Sequence, residues 1–276
     1  MQVFHTTRPI IRERIPSVKS PLLHYARDID VLLPPAYYHD KHQHYPVLYL
    51  NDGQDLDALH LPTTLAHMYS HGHLKPMILV AIHATRDRVH EYGIEGLTNA
   101  LGYGLRTSEY SAFLRYELMH EIERRYRVKH GPKHTAIAGF SLGGLSAFDT
   151  AWAHPDLFGA VGVFSGSFWW RSDDSSTRAK VVSRIMHRRV RTSHFLPHIR
   201  MWFQAGTLDE LADRDNDGII DAIQDTTELI DTLAARGYQR GIDMTYVEVV
   251  GGKHDQVTWG KVMPEFLVWW QHPPAW

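Results

Sequence analysis

Short apolar runs alternate with amphipathic segments along most of the chain. Seven of these runs have the length of a β-strand, and several are apolar at nearly every position. They cover residues 29–33, 46–50, 77–83, 134–140, 159–164, 201–205 and 244–250. Strands that are buried on both faces of a parallel sheet have this composition.

Apolar residues at helical spacing lie between these runs. One helical pattern covers 110–122, and Thr107 or Ser108 is its expected N-cap. Another covers 219–233, and Gly237 is its expected C-cap. Each pattern is long enough for a helix that covers one face of a sheet.

A third helical pattern, at 262–270, is followed by two prolines that end it. Strands that alternate with helices predict an α/β fold with a mainly parallel central sheet and helices on both faces. We therefore expect a single α/β-hydrolase-like domain over 1–276, with a catalytic core at about 29–270 and little or no lid.

Charge and composition exclude several classes of protein and of site. The 276 residues include 29 Lys and Arg against 31 Asp and Glu, a formal net charge of −2, whereas a nucleic-acid binder needs a basic excess. Cysteine is absent, which excludes disulfides, thiolate metal sites and a thiol nucleophile. The 20 histidines make any single histidine weak support for a site.

The sequence gives no sign of a membrane or export segment. Residues 1–8 lack the apolar stretch of a signal peptide, and no apolar run reaches the roughly 18 residues that span a bilayer. We therefore expect a cytoplasmic protein that has no membrane partner. The sequence does not indicate its oligomeric state.

The most informative motif is G-x-S-x-G, formed by Gly139, Ser141 and Gly143. It follows the apolar run 134–140 and precedes a helical segment. A serine on such a sharp strand-to-helix turn needs neighbours without bulky side chains, because the backbone bends tightly there. This context predicts that Ser141 is a catalytic nucleophile.

A serine nucleophile needs a base and a group that orients the base. Asp209 follows the run 201–205, and His254 follows the run 244–250 after two glycines. Both positions fall at the carboxyl ends of expected parallel strands, where α/β sheets place their sites. We expect Asp209 to be the acid and His254 the base; Glu210, and less strongly Glu228, are competing acids.

An oxyanion hole needs two backbone N–H donors. One donor is expected from Leu142, the residue after the nucleophile. The other is expected from Gln54, which follows the run 46–50 and a turn formed by 51–53. The same turn is also ordinary β-turn chemistry, and the two interpretations are compatible.

Five motifs in this order resemble one family. They are residues 48–54, 139–144, 164–170, 206–209 and 251–254. Together they are similar to the α/β hydrolase family named Putative esterase, which includes esterase D, feruloyl esterases and ferric enterobactin esterase-like enzymes. The resemblance implies a compact hydrolase of carboxylic esters with Ser141, Asp209 and His254 as its triad and with Gln54 and Leu142 as oxyanion donors. It does not identify the ester.

Three further residues are candidates for substrate binding. Trp169 and Trp170 follow the run 159–164, and Arg86 follows the run 77–83, so all three are expected near the rim of the site. Adjacent tryptophans cannot both face one pocket, so at most one of them lines it. Core packing for the tryptophans and a solvated loop for Arg86 are the alternatives.

An acidic segment after Asp209 predicts a bound cation. Asp213, Asp215 and Asp217 alternate and precede a glycine, as in D-x-D-x-D-G calcium loops. The Ile219 carbonyl and Asp221 would complete the ligand set. We therefore expect a structural Ca²⁺ ion and no organic cofactor.

The end of this motif departs from the usual pattern. Gln224 occupies the position of the usual bidentate glutamate, and Asp221, Gln224 or the neighbouring Asp225 could complete the site. The alternative is an acidic helix start that is stabilised by the helix dipole without a metal.

These features together predict a serine carboxylesterase that acts on a small-molecule ester through an acyl-enzyme on Ser141. Two other functions fit the same residues. One is acyl transfer to an alcohol other than water, and the other is a sugar- or siderophore-binding protein on a hydrolase scaffold without turnover.

Overall fold

The computed structural model of the protein describes residues 9–194 and 196–273. Eight strands form one sheet. They are β1 (Ile11–Val18), β2 (Arg27–Leu33), β3 (Val47–Asn51), β4 (Ile78–Ile82), β5 (Thr135–Phe140), β6 (Ala160–Phe164), β7 (Arg200–Leu208) and β8 (Met244–Lys253). Their order across the sheet is β1-β2-β4-β3-β5-β6-β7-β8.

The sheet is parallel from β4 to β8, and β1 and β2 are antiparallel at one edge. All seven predicted runs correspond to strands, within a few residues at their ends. The sequence analysis missed β1. This edge strand is half exposed and carries two arginines and a glutamate, so it has no continuous apolar run.

Nine α-helices connect or cover the strands in the described part of the chain. They are α1 (Leu61–Ser70), α2 (Arg88–Glu91), α3 (Thr107–Ala112), α4 (Met119–Arg125), α5 (Leu142–Ala153), α6 (Thr177–Val182), α7 (Ile185–Thr192), α8 (Asp221–Ala235) and α9 (Gln256–Gln271). A π-helical segment, Phe113–Leu118, joins α3 to α4 and continues the predicted helix.

The first residues of two helices differ from the prediction. The N-cap of α3 is Arg106, one residue before the expected Thr107. Helix α9 begins six residues earlier than the expected 262, because Asp255 caps it: the Asp255 carboxylate accepts a hydrogen bond of 2.8 Å from the Thr258 N–H.

The sheet separates two apolar cores. Helices α1 and α9 pack on one face, and α3 to α5, α7 and α8 pack on the other. Consecutive residues of a strand point to opposite faces, so Tyr49 belongs to one core and its neighbours Leu48 and Leu50 to the other. The predicted α/β class with helices on both faces is confirmed.

Among the described residues, no helix combines the length and apolar character that a membrane crossing requires. The segment 1–8, which was searched for an export signal, lies outside the described residues. The cytoplasmic location stays a prediction.

Candidate active site

Ser141 occupies the turn between the end of β5 and the start of α5. Its backbone has φ 56° and ψ −122°, a left-handed conformation that costs a side-chain-bearing residue on the order of 1–3 kcal/mol. A Cβ atom on Gly139 would lie 2.3 Å from the Gly143 carbonyl oxygen. The first glycine of the motif is therefore required by the close approach of strand and helix.

Contacts from the end of β3 hold this turn in place. The buried Asn51 side chain donates a hydrogen bond of 2.9 Å to the Gly143 carbonyl, and the Tyr110 hydroxyl donates one of 2.6 Å to Asn51 Oδ1. A Cβ atom on Gly143 would lie 2.6 Å from Asp52 Oδ2. The second glycine therefore lets β3 pack directly against the turn.

One cavity of about 300 Å³ lies at the carboxyl ends of β5 to β8. Ser141, Asp209 and His254 all line it, as does Leu142. Because the strands are parallel, loops that are far apart in sequence meet at this edge. The structure thus brings the three residues of the predicted triad together.

Asp209 directly follows β7 and is buried. The Gly206 N–H donates a hydrogen bond of 3.0 Å to Asp209 Oδ2, whereas Oδ1 has no hydrogen-bond partner within the described ranges. Burial raises the pKa of Asp209, and its contacts with Gly206, Ser165 and His254 oppose that rise. The Gly206 N–H therefore holds Oδ2 of Asp209 in place, and Oδ1 is left to accept a hydrogen bond from a base.

His254 directly follows β8, and its ring stands edge-on to Trp259, with 5.2 Å between ring centroids. Burial lowers the pKa of His254, the charge of Asp209 opposes this, and the positive charge of Arg88 adds to the lowering. A lowered pKa keeps the imidazole neutral at neutral pH. Neutral imidazole is the form that accepts a proton.

Two serines of the loop after β6 support the site. The Trp259 Nε1–H donates a hydrogen bond of 2.9 Å to Ser165 Oγ, and Ser165 lies beside Asp209, whose pKa it lowers. Ser167 Oγ lies 3.3 Å from Ser141 Oγ, and the Ser167 N–H donates to the Ser141 carbonyl. The loop is expected at the rim of the site, whereas no sequence pattern indicates a role for Trp259.

The two expected oxyanion donors lie in different settings. Leu142 is the first residue of α5, and an N–H at this position has no acceptor within its own helix. Gln54 lies in a short turn, and its side-chain Oε1 accepts a hydrogen bond of 2.9 Å from the Ala84 N–H. Asp52, two residues earlier, pairs with Arg88 through two hydrogen bonds of 2.7 and 2.8 Å.

The three candidate substrate-binding residues lie in different surroundings. Trp169 is half-buried and lines the cavity. Trp170 is completely buried in the core, where it packs so closely on Gly93 that a Cβ atom there would lie 2.8 Å from its ring. Arg86 stacks on Tyr25, with its guanidinium carbon 4.0 Å from the ring centroid. Trp169 is thus the one of the three that the structure places against the cavity.

The competing acids have other contacts. Glu210 lines the cavity and lies beside the Ala222 N–H at the start of α8. Burial, and then the negative charge of Asp221, raise the pKa of Glu210. Glu228 forms an ion pair with Arg184. Asp209 is therefore the carboxylate placed beside both Ser165 and His254.

The acidic segment forms a loop between β7 and α8. Asp213, Asp215 and Asp217 each offer a carboxylate oxygen, and these oxygens lie within 4.8 Å of one another. Asp213 accepts hydrogen bonds from the N–H groups of Asp217 and Gly218. Hard oxygen donors at this spacing have the chemistry of a Ca²⁺ site.

Three expected side-chain ligands, Asp221, Gln224 and Asp225, contact Arg214, whereas the Ile219 N–H donates a hydrogen bond of 2.8 Å to Asp217. Asp221 accepts from the Arg214 N–H at 2.9 Å, and Asp225 forms an ion pair with the Arg214 side chain. Gln224 bridges Arg214 to Asp215, to which it donates a hydrogen bond of 2.9 Å. Asp221 and Asp225 therefore join the loop to α8 through Arg214 and lie outside the group of three carboxylates.

Known proteins share this architecture. The protein YbbA of Bacillus subtilis (strain 168), described as uncharacterized, is 26% identical over 153 residues, which are 53% of this chain and 59% of YbbA. The enterobactin esterase FES from Shigella flexneri superposes with a TM-score of 0.74 at 19% identity, covering 94% of this chain and 58% of that one. The ferulic acid esterase AmCE1/Fae1A from Anaeromyces mucronatus superposes with a TM-score of 0.68 at 21% identity, covering 97% and 93%.

The chain spans about three fifths of the length of YbbA and of the enterobactin esterase. At these identities the structural likeness shows a shared fold. The family model described as Putative esterase matches residues 20–269, which is nearly the whole chain. The chain therefore belongs to the Putative esterase family and has an α/β-hydrolase fold.

Proposed function

We propose that the protein is a serine carboxylesterase that hydrolyses a small-molecule ester. The observation that carries the proposal is the cavity at the sheet edge, where Ser141 on its strained turn meets His254 and the buried Asp209. The family and the fold support the same reaction class. The names of the two solved relatives, a ferulic acid esterase and an enterobactin esterase, support an ester bond as the target.

The reaction follows from the chemistry of these groups. Ser141 Oγ attacks the ester carbonyl while the neutral His254 takes the hydroxyl proton, and Asp209 stabilises the imidazolium that forms. The oxyanion is stabilised by the N–H groups of Leu142 and Gln54. His254 then gives its proton to the departing alkoxide, which leaves as an alcohol, and the acyl group stays bound to Ser141 Oγ as a covalent acyl-enzyme.

Water completes the cycle. His254 takes a proton from a water molecule as its oxygen attacks the acyl carbonyl, and the proton passes to Ser141 Oγ as the carboxylic acid is released. Ser167, which contacts Ser141 Oγ, helps to hold the hydroxyl in the cavity between turnovers.

Removal of the nucleophile tests the proposal. We expect Ser141→Ala to lower kcat/KM for 4-nitrophenyl acetate at least about 10³-fold and to abolish labelling by a fluorophosphonate, because no acyl-enzyme forms. Ser172→Ala, an exposed serine in a nearby loop, is the matched control and should retain the native rate. Native turnover by Ser141→Ala, or an unlabelled native protein without turnover, would contradict the proposal.

A further inference from the structure

We propose that the catalytic cavity contains an acidic subsite, formed by Glu210 and Asp225 beside Trp169, that binds a cationic ammonium group of the ester substrate. The inference rests on the proposed esterase function, and it specifies the kind of ester. None of the three residues takes part in the bond-breaking steps described above.

Asp225 supplies the first observation. The residue is only 1% exposed, and its Oδ1 pairs with both Arg184 and Arg214. Its Oδ2 is buried and has no hydrogen-bond partner among the residues described, yet Asp225 lines the cavity. An unpaired buried carboxylate oxygen is costly, and a donor group of a ligand in the cavity would satisfy it.

The charge balance of the cavity supplies the second observation. Glu210 lines the cavity and has no ion-pair partner among the described residues, whereas its neighbours Asp225 and Asp221 pair with Arg184 and Arg214. Arg88 is the guanidinium that lines the same cavity, and Asp52 already neutralises it. The wall around Glu210 therefore has an excess of negative charge, which favours a cation over a neutral group.

The shape of the cavity agrees with this chemistry. Trp169 is the aromatic side chain that lines the cavity, and an aromatic face next to carboxylates attracts ammonium groups. A volume of about 300 Å³ admits a small ester only. The cation must therefore lie a few bonds from the scissile carbonyl.

A purely structural role for the acids explains only part of the arrangement. Glu210 lies beside the Ala222 N–H at the start of α8. This contact accounts for one carboxylate, and it leaves Oδ2 of Asp225, a residue of the cavity wall, without a partner among the described residues.

Two pairs of isosteric esters test the subsite on either side of the scissile bond. The acyl-side pair is methyl 4-(aminomethyl)benzoate and methyl 4-ethylbenzoate. The alcohol-side pair is 2-(dimethylamino)ethyl benzoate, which is protonated at pH 7 and keeps an N–H donor, and 3-methylbutyl benzoate. We expect the native enzyme to prefer the cationic member of at least one pair by about tenfold or more in kcat/KM, as for a hydrogen bond or ion contact to a charged group. High salt should reduce the preference.

Glu210→Gln should lower kcat/KM on the cationic ester severalfold more than on the neutral ester. The variant keeps an oxygen that can accept from Ala222. Asp225→Asn tests the second carboxylate, and Asp231→Asn, an exposed aspartate on the same helix, is the control that should change neither rate. Rates on the neutral ester show whether each variant is folded.

The outcomes separate the two proposals. Hydrolysis of neutral and cationic esters at equal rates, or an equal fall on both in Glu210→Gln, overturns the subsite and leaves the esterase function standing. Failure to hydrolyse any ester, together with no fluorophosphonate labelling of Ser141, overturns the esterase function and the subsite with it.

Discussion

At the scale of single residues, the support of Asp209 is the feature that most shapes the chemistry. Asp209, the proposed acid, accepts a hydrogen bond from the Gly206 N–H and lies beside Ser165, which accepts one from Trp259 of α9. Trp259 also packs edge-on against the His254 ring. Trp259 therefore supports both proposed catalytic residues, Asp209 through Ser165 and His254 directly, although it does not line the cavity.

We expect Trp259→Phe to lower kcat about tenfold and to leave KM nearly unchanged, because it loosens Asp209 from outside the cavity. Ser165→Ala should lower kcat to a similar extent, and because Ser165 lines the cavity, only kcat is compared for this variant. Phenylalanine keeps the ring against His254 and removes only the N–H donor. The double variant should be no worse than either single variant, since the two residues act in one chain of hydrogen bonds. Steady-state kinetics check this prediction. A native kcat in Trp259→Phe would show that the hydrogen bond from Trp259 to Ser165 does not affect catalysis and that Trp259 only packs there.

The pH dependence of the reaction follows from His254. Burial lowers its pKa below the ordinary value of 6.5, and the neutral imidazole is the active form. We therefore expect kcat/KM to rise with pH to a plateau, with its inflection below pH 6.5. A pH profile of a neutral ester measures this, and an inflection above 6.5 would show that Asp209 outweighs burial.

Site residues that follow an apolar run could be predicted from the sequence. Ser141, Asp209 and His254 each stand directly after a strand, and parallel strands bring those positions to one edge. Trp259 and Ser167 could not be predicted, because their roles depend on which loops and helices meet across the sheet. Arg86, which is predicted near the site, stacks on Tyr25, whereas Arg88 at the start of α2 lines the cavity; the sequence does not say which of two close arginines faces it.

At the scale of elements, the contact between α7 and α8 has a titratable group at its centre. His187 on α7 is buried, and its ring lies 2.9 Å from the Asp225 carbonyl on α8. Burial, and next the positive charge of Arg184, lower the pKa of His187 to about 3. The ring is neutral in the folded protein and donates its hydrogen to the carbonyl.

This contact makes the fold sensitive to acid. His187 binds a proton more readily in the unfolded chain, so its contribution to the free energy of unfolding is complete above pH 6.5. It is lost progressively as the pH falls from 6.5 towards 3, and amounts to on the order of 4 kcal/mol. His187→Gln keeps a donor but does not titrate, so denaturant unfolding at pH 7 and pH 5 should differ less than in the native protein. The exposed His120→Gln is the control, and an unchanged difference in His187→Gln would contradict the assignment.

Element boundaries show where the sequence was insufficient. Buried strands were predicted because both faces of the sheet are covered. The edge strand β1 was missed because Asp30 on β2 pairs with Arg12 and Arg14, which makes that strand polar. Helix α8 was placed correctly to within two residues, since its apolar face repeats at helical spacing.

At the scale of the whole molecule, the order of the strands creates the site. Strands β5, β6, β7 and β8 are adjacent and parallel, so the loops that follow them form one wall. The apolar runs predicted the class of the sheet but not this order, because many orders bury the same residues. The family resemblance supplied the arrangement of the site.

Calcium binding is a prediction for the whole molecule, since an ion bound to the folded chain alone stabilises the fold. We expect Ca²⁺ to bind the loop of Asp213, Asp215 and Asp217 with a Kd on the order of 10⁻⁴ M, because Gln224 replaces a bidentate carboxylate. Chelator-treated protein titrated by calorimetry should release or absorb heat, and Tm should rise with added Ca²⁺.

The double variant Asp215→Asn and Asp217→Asn should lose both effects, whereas Asp231→Asn should keep them. Heat or a Tm shift that survives the double variant would place the ion elsewhere. If the native protein shows neither heat nor a Tm shift, the calcium prediction is wrong, and the acidic loop stabilises the start of α8 without a metal.

The strained backbone of Ser141 has an evolutionary consequence. Glycine adopts its left-handed angles without strain, so a chain with glycine there would fold more favourably. Selection for stability alone would therefore replace the residue that selection for catalysis must keep. In a lineage released from the need for catalysis, one substitution at Ser141 both stabilises the scaffold and removes the nucleophile, so inactive binding proteins are accessible from this fold in a single step.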